Sequence, residues 1–202
     1  MNIQGQAALV TGGASGLGEA TARELARLGA KVTVLDVNLA LAQKVAAEIG
    51  GLAVACDITN TESTIAALAQ ATSAHGPARI LMNVAGIGSA KRIVGKDGQA
   101  APLEDFARVV NVNLIGSYNI SRLFAAECAR LEPLEGGERG VMMFTASVAA
   151  FDGQVGQHLQ IGHTAAQQDQ LTGLVTARIA MRHRVHMVLE MRGQSVHAAI
   201  VS

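Results

Sequence analysis

Ala7-Ala8-Leu9-Val10-Thr11-Gly12-Gly13-Ala14-Ser15-Gly16-Leu17-Gly18 decides the fold. An apolar run of strand length, Ala7 to Val10, stops at a turn of four glycines. A helical pattern follows from Gly16 to Leu28, with Leu17, Ala20, Leu25 and Leu28 placed to lie on a sheet. Gly29 ends that helix, and Lys31 to Leu35 forms the next strand, closed by Asp36.

The same unit repeats outward from there. Leu39 to Ile49 is the second helix, stopped by Gly50-Gly51, and Leu52 to Cys56 the third strand. A third helix over Thr61 to Ala74 is capped by Asn60 or Thr61, and Ile80 to Met82 is the fourth strand. A loop over 86–102 precedes a long amphipathic stretch from Leu103 to about Leu131. After a Pro/Gly break, Val141 to Phe144 is the fifth strand. Strands joined through single helices cannot pair as hairpins. The expectation is a doubly wound α/β domain of Rossmann type, a parallel sheet with helices on both faces.

Composition narrows the function classes. The 202 residues suit one domain, and half are hydrophobic while only 2% are aromatic, so the core must be aliphatic. Sixteen basic residues balance sixteen acidic ones, which gives no electrostatic ground for a nucleic-acid or anionic-membrane partner. No apolar run reaches the ~18 residues of a membrane span, and no cationic-then-apolar segment opens the chain. Cys56 and Cys128 have neither metal-ligand nor disulfide-framework spacing and are expected to be buried, reduced thiols. The expected setting is the cytoplasm. Asn119-Ile120-Ser121 matches a glycosylation sequon, by chance in a chain read as unsecreted.

The glycine turn carries the first chemical expectation. Glycines let a backbone approach a pyrophosphate without an intervening Cβ, and the following helix offers free N–H groups and a positive dipole end. Gly12, Ser15, Gly16, Leu17 and Gly18 are therefore candidate contacts to a dinucleotide. Asp36 ends the second strand, where a carboxylate accepts from adenosine ribose hydroxyls. A 2′-phosphate would meet like charge there, with no Arg or Lys in the turn or at position 37, so NAD is expected rather than NADP. The competing reading of Asp36 is a solvated carboxylate at a strand end.

Further along, Thr11-Gly12-x-x-x-Gly16-x-Gly18 has the spacing of the short-chain dehydrogenases/reductases. Cys56-Asp57-Ile58 resembles that family's acidic strand end, and Asn83-Val84-Ala85-Gly86 its Asn-x-Ala-Gly motif. Val112-Asn113-Leu114-Ile115-Gly116 and Thr145-Ala146-Ser147 match two more of its motifs. Leu103-Glu104-Asp105-Phe106, Gly137 to Val141 and Thr145 to Phe151 are most similar to type 2 3-hydroxyacyl-CoA dehydrogenases, also met as 17β-hydroxysteroid dehydrogenases. The resemblance implies that Asp57 and Ile58 hold the adenine, while Asn83, Val84, Ala85 and Gly86 support the sheet and line the cofactor site. It implies that Ser147 hydrogen-bonds the substrate oxygen and Asn113 holds a water in a proton relay. Capping by Ser147 and backbone satisfaction by Asn113 stand as the alternatives. The family also implies a small-molecule substrate and a homo-oligomer.

The resemblance covers 1–157; residues 158–202 depart from it. That segment has no Lys, Pro or aromatic residue yet holds five of the six His. A helix over Ala165 to Met181 and a strand over Val185 to Leu189 are expected there. The organisation is then one NAD-binding domain, 1–157, with an atypical and shortened C-terminal part, 158–202. Counting forward from Ser147 by the family's spacing for its Tyr and Lys reaches Gln160 and Thr164. The only Tyr in the chain is Tyr118 and the last Lys is Lys96. In the family the Tyr passes the hydroxyl proton while the Lys lowers its pKa and holds the nicotinamide ribose. Gln and Thr supply neither.

His158 and His163 lie near the missing pair, and His183 and His186 are three apart. No further ligand has a fitting spacing, so no metal is expected. Lys91, Arg92 and Lys96 form either a coenzyme A phosphate contact or a solvated loop. Three functional readings stand: an NAD-dependent secondary-alcohol dehydrogenase with impaired chemistry, a non-catalytic NAD-binding or subunit-association protein, and a damaged gene product whose tail is foreign to the family.

Overall fold

The computed structural model describes residues 1–88 and 92–145, and the backbone of 188–192 and 195–199. Strands β1 (Ala7–Thr11), β2 (Lys31–Asp36), β3 (Leu52–Ala55), β4 (Ala78–Asn83) and β5 (Val141–Phe144) alternate with helices α1 (Gly16–Arg27), α2 (Leu39–Ile49) and α3 (Thr61–His75). Helices α4 (Leu103–Val110) and α5 (Ser117–Cys128) lie between β4 and β5 and are joined by a π-helical turn, Asn111–Gly116.

All five strands pair in parallel in the order β3-β2-β1-β4-β5. The expected doubly wound sheet is therefore present. Because the chain grows outward from β1 on one side and then returns to β1's other side, β1 and β4 flank the topological switch point. In register, Asp36 pairs with Ala55, Thr11 with Leu35 and with Asn83, and Asn83 with Phe144. The strand C-termini thus share one edge.

Alternation along the strands sends side chains to two cores. Ala7, Leu9, Leu35 and Leu81 face Ala67, Leu68, Ile120 and Phe124, while Ala8, Val10, Val32, Val34 and Ile80 face Ala22, Leu25, Val45 and Ala46. Most contributors are aliphatic, as the composition requires; among the described buried residues the one aromatic is Phe124, joined by Met82 and the two cysteines. Cys56 and Cys128 are buried and unbridged, and burial pushes their thiols up to about 11 and about 12.

Local differences from the sequence reading have physical causes. Helix α1 buries Gly18, Ala22 and Leu25, an i, i+4, i+7 stripe, whereas Leu17, Ala20 and Leu28 face outward. The helix sits so close to the glycine turn that Gly18 must face inward, which rotates Leu17 to the surface. Strand β3 ends at Ala55, one residue early, because the Asp57 N–H donates to Ser63 Oγ (3.0 Å) and leaves the ladder. Asn60, one of the two proposed caps, accepts from the Ser63 N–H at 2.8 Å. The amphipathic stretch is one run of helix interrupted by the π turn; insertions of this kind are frequent at functional sites. Near the C-terminus, β6 (Val188–Arg192) overlaps the end of the strand expected over 185–189 and pairs antiparallel with β7 (Ser195–Ala199). The helix expected over 165–181 lies outside the described residues. Among the described residues no helix is long and apolar enough to cross a membrane.

Candidate active site

The candidate site forms at the shared strand edge, beginning with the glycine turn. Gly12 takes a positive φ of 63°, and a Cβ there would lie 2.7 Å from the Ala85 backbone. A Cβ on Gly18 would lie 2.0 Å from the Gly12 carbonyl oxygen. Only hydrogen fits at either place, so the turn is drawn against both β4's end and its own helix. Ser15 is the N-cap of α1 in extended conformation, and its side chain makes no cap bond. The first N–H groups of the helix are thus left facing an edge where Ser15, Gly16 and Leu17 are all exposed. A diphosphate fits this cradle.

Asp36 stands beside the turn. Its Oδ2 accepts from the Ala14 N–H (3.1 Å) and its Oδ1 from the Asn38 N–H (2.9 Å). Two backbone amides therefore fix the carboxylate plane, while each oxygen keeps a second acceptor direction. Val37 next to it is exposed and uncharged.

Thr11 joins the two sides of the switch point, a role that the sequence reading missed. Its buried hydroxyl donates to the Met82 carbonyl (3.3 Å) and accepts from the Val84 and Ala85 N–H groups (3.0 and 3.1 Å). The signal for it was a hydroxyl residue closing a buried strand opposite another strand's end. Asn83 is 4% exposed; its Nδ2 donates to Ser121 Oγ (3.2 Å), and its Oδ1 has no partner. This seats the Asn83 side chain between the sheet and α5, at the C-terminal end of β4. Val84 and Ala85 are half-buried and Gly86 exposed, so the motif runs from the sheet out to the surface.

Beyond Gly86, Asn113 in the π turn holds the chain by both main-chain groups of one residue. Its Oδ1 accepts from the Ile87 N–H (2.8 Å) and its Nδ2 donates to the Ile87 carbonyl (2.9 Å). The backbone-satisfaction alternative thus describes a bond pair that Asn113 does make. Asp57 is exposed, with Oδ1 accepting from the Thr59 N–H and hydroxyl (2.9 and 2.7 Å), and Ile58 beside it is buried.

Asp36, the glycine turn, Asp57, Asn83 to Gly86 and Asn113 are therefore all carried at or just beyond the sheet's C-terminal edge. Ser147, Gln160, Thr164, Lys91, His158, His163, His183 and His186 lie outside the described residues. Arg92 and Lys96 are exposed, in a loop pinched by a bridge between Val94 and Ala100. Among the described residues no group of three His, Cys, Asp or Glu could hold a metal ion.

Comparison with known proteins agrees with the fold that carries these residues. The model of the short chain dehydrogenase family matches residues 6–159. The chain is 46% identical over 159 residues to 3-hydroxyacyl-CoA dehydrogenase type-2 of Bos taurus, covering 77% of this chain and 61% of that protein. The Drosophila melanogaster protein of the same name is 43% identical over 158 residues, covering 77% and 62%. The chain thus spans about three fifths of the length of these relatives. Among solved structures, 3-hydroxyacyl-CoA dehydrogenase type-2 from Mycobacterium avium superposes with a TM-score of 0.74 at 38% identity, covering 80% of this chain and 64% of that one. A 3-ketoacyl-(acyl-carrier-protein) reductase from Brucella melitensis, complexed with NADH, superposes at 0.72 and 33% identity, covering 83% and 68%. With its sheet order, its glycine turn and these matches in agreement, the chain belongs to the short-chain dehydrogenase family.

Proposed function

We propose that this chain binds NAD along the sheet's C-terminal edge. It is by descent an oxidoreductase for a secondary alcohol of the 3-hydroxyacyl-CoA kind, with turnover impaired by Gln160 and Thr164. The carrying observation is the Gly12–Gly18 cradle with the Asp36 carboxylate held beside it. Diphosphate oxygens would accept from the open N–H groups of α1, whose dipole end favours negative charge. Asp36 would accept from the ribose hydroxyls and repel a 2′-phosphate, which favours NAD over NADP. Asp57 and Ile58 would hold the adenine. NAD supplies the hydride acceptor; Ser147 and Asn113 would orient the alcohol and a relay water.

What the chain lacks at Gln160 and Thr164 is the positioned acid–base pair. Such a pair contributes roughly 10²- to 10⁴-fold. That deficit favours a second reading, in which the cofactor half serves binding or subunit association alone.

Calorimetric titration with NAD and NADP, followed by an NADH-production assay on a 3-hydroxyacyl-CoA, tests both halves. We expect binding that favours NAD, with turnover lower by about 10²-fold or more than a relative carrying the pair. Because Asp36 also anchors the Ala14 amide, Asp36→Ala should weaken NAD several-fold and also narrow the NAD/NADP ratio. Damage to the turn alone would weaken both cofactors alike. Indifference to NAD at millimolar concentration would sink the cofactor assignment. Turnover within about tenfold of that relative would sink the impairment.

A further inference from the structure

Asn119 is a buried amide, 6% exposed, on the first turn of α5. Each half of it is committed. Its Oδ1 accepts from Arg122 Nη2 (2.7 Å), Arg122 Nε (3.1 Å) and the Thr61 hydroxyl (3.1 Å). Its Nδ2 donates to the Ile58 carbonyl (2.9 Å) and to Thr64 Oγ1 (3.3 Å). An arginine has only donors to offer, so Arg122 dictates which way the amide points. With Oδ1 held by the guanidinium, Nδ2 can only face Ile58. Arg122 Nη2 also donates to Thr61 Oγ1 (3.2 Å), and Thr64 Oγ1 donates to the Asn60 carbonyl (2.8 Å). Every atom that this cluster grips belongs to the Asp57–Thr64 turn or to Arg122.

One turn earlier on the same ridge, Gly116 leaves the space for Ile58. A Cβ at Gly116 would come within 2.8 Å of Ile58 Cγ1. The Ile58 side chain is thus seated against the π turn while its carbonyl is tied by Asn119. The neighbouring Asp57 carboxylate is exposed.

We propose that Asn119, oriented by Arg122, is a positioning residue for the adenine end of the dinucleotide, because it fixes the Ile58 carbonyl and so aims Asp57. This rests on the NAD-binding reading above, and on Asp57 accepting from the exocyclic amino group of adenine. Asn119 does not touch the cofactor. It acts through the turn.

The test compares NAD with nicotinamide hypoxanthine dinucleotide, in which an oxo group replaces that amino group. The wild-type chain is expected to bind NAD more tightly than the hypoxanthine analogue. In Asn119→Ala, NAD affinity should fall about five- to tenfold, the scale of one lost hydrogen bond, while analogue affinity changes little, so discrimination contracts. Arg122→Gln removes the orienting charge at an exposed position, spares the core and should give an intermediate contraction. It keeps the test decisive where Asn119→Ala fails to fold. A purely structural role would lower both affinities together; an unchanged NAD-to-analogue ratio in folded Asn119→Ala, or in Arg122→Gln alone, overturns the proposal. Failure of the wild type to bind either dinucleotide would instead overturn the NAD reading. A wild type that binds both equally would overturn the Asp57 contact on which the proposal rests.

Discussion

Gly12 and Gly18 face each other across less space than a methyl group needs, and this single contact brings the first helix onto the turn. A methyl at Gly18 would have to displace the Gly12 carbonyl, which is backbone and cannot rotate away. Gly18→Ala is therefore expected to cost about 1–3 kcal/mol of stability, as overpacking does, and to abolish detectable NAD binding. Gly16→Ala provides the contrast. Its φ of 52° is strained for alanine, but nothing lies within 4 Å, so about 1–2 kcal/mol without a clash is expected. Urea unfolding and NAD titration of both variants check this; equal losses of binding would remove the packing argument. These glycines were legible in the sequence because backbone geometry leaves few residue choices. Asn119 was not. Its three-residue context reads as a sequon, and its partners Ile58, Thr61 and Thr64 are far away in the chain. Burial of Asn119, Ile120 and Ser121 leaves no room for a glycan on the folded protein.

At the scale of elements, β1 and β4 are held beyond their ladder by the Thr11 hydroxyl. Thr11→Val keeps the shape and removes the acceptor of two backbone N–H groups. Leaving such donors unmet costs about 1–3 kcal/mol, so the urea midpoint should fall with an unchanged m-value. Thr11→Ser should recover most of that loss; if both variants fall alike, the methyl group and not the hydroxyl is responsible. Helix positions were readable from the hydrophobic period because each helix buries one stripe, and the strands from short apolar runs because the sheet is covered on both faces. The facing of α1 is hidden in the sequence for a specific reason: Leu17 has the character of a core residue, but Gly18 takes the inward place. The π turn gave no sequence signal, since Val112 to Gly116 keeps an apolar pattern compatible with an unbroken helix.

For the whole molecule, the doubly wound order followed from the alternation of elements, and the site followed from the edge that this order creates. Stability across pH has a contributor far from that edge. His75 Nδ1 lies 3.3 Å from Thr33 Oγ1, and burial, with Lys31 nearby, holds its pKa below the ordinary 6.5. The unfolded chain therefore binds this proton more readily than the folded one. The stabilising contribution is complete above about 6.5 and is lost as pH falls through the folded value. Urea midpoints of the wild type should rise across this window more steeply than those of His75→Gln; parallel profiles would refute the assignment. The order of the sheet has one more consequence, for how the molecule comes together. Thr11 meets the Val84 amide 73 residues away in sequence. The central strand has its first neighbour early, but waits for its second until two more strands and two more helices have been laid down. Such distant closure carries a chain-entropy penalty before any contact repays it, so pairing of β1 with β4 comes late, with one flank of β1 open meanwhile to mispairing.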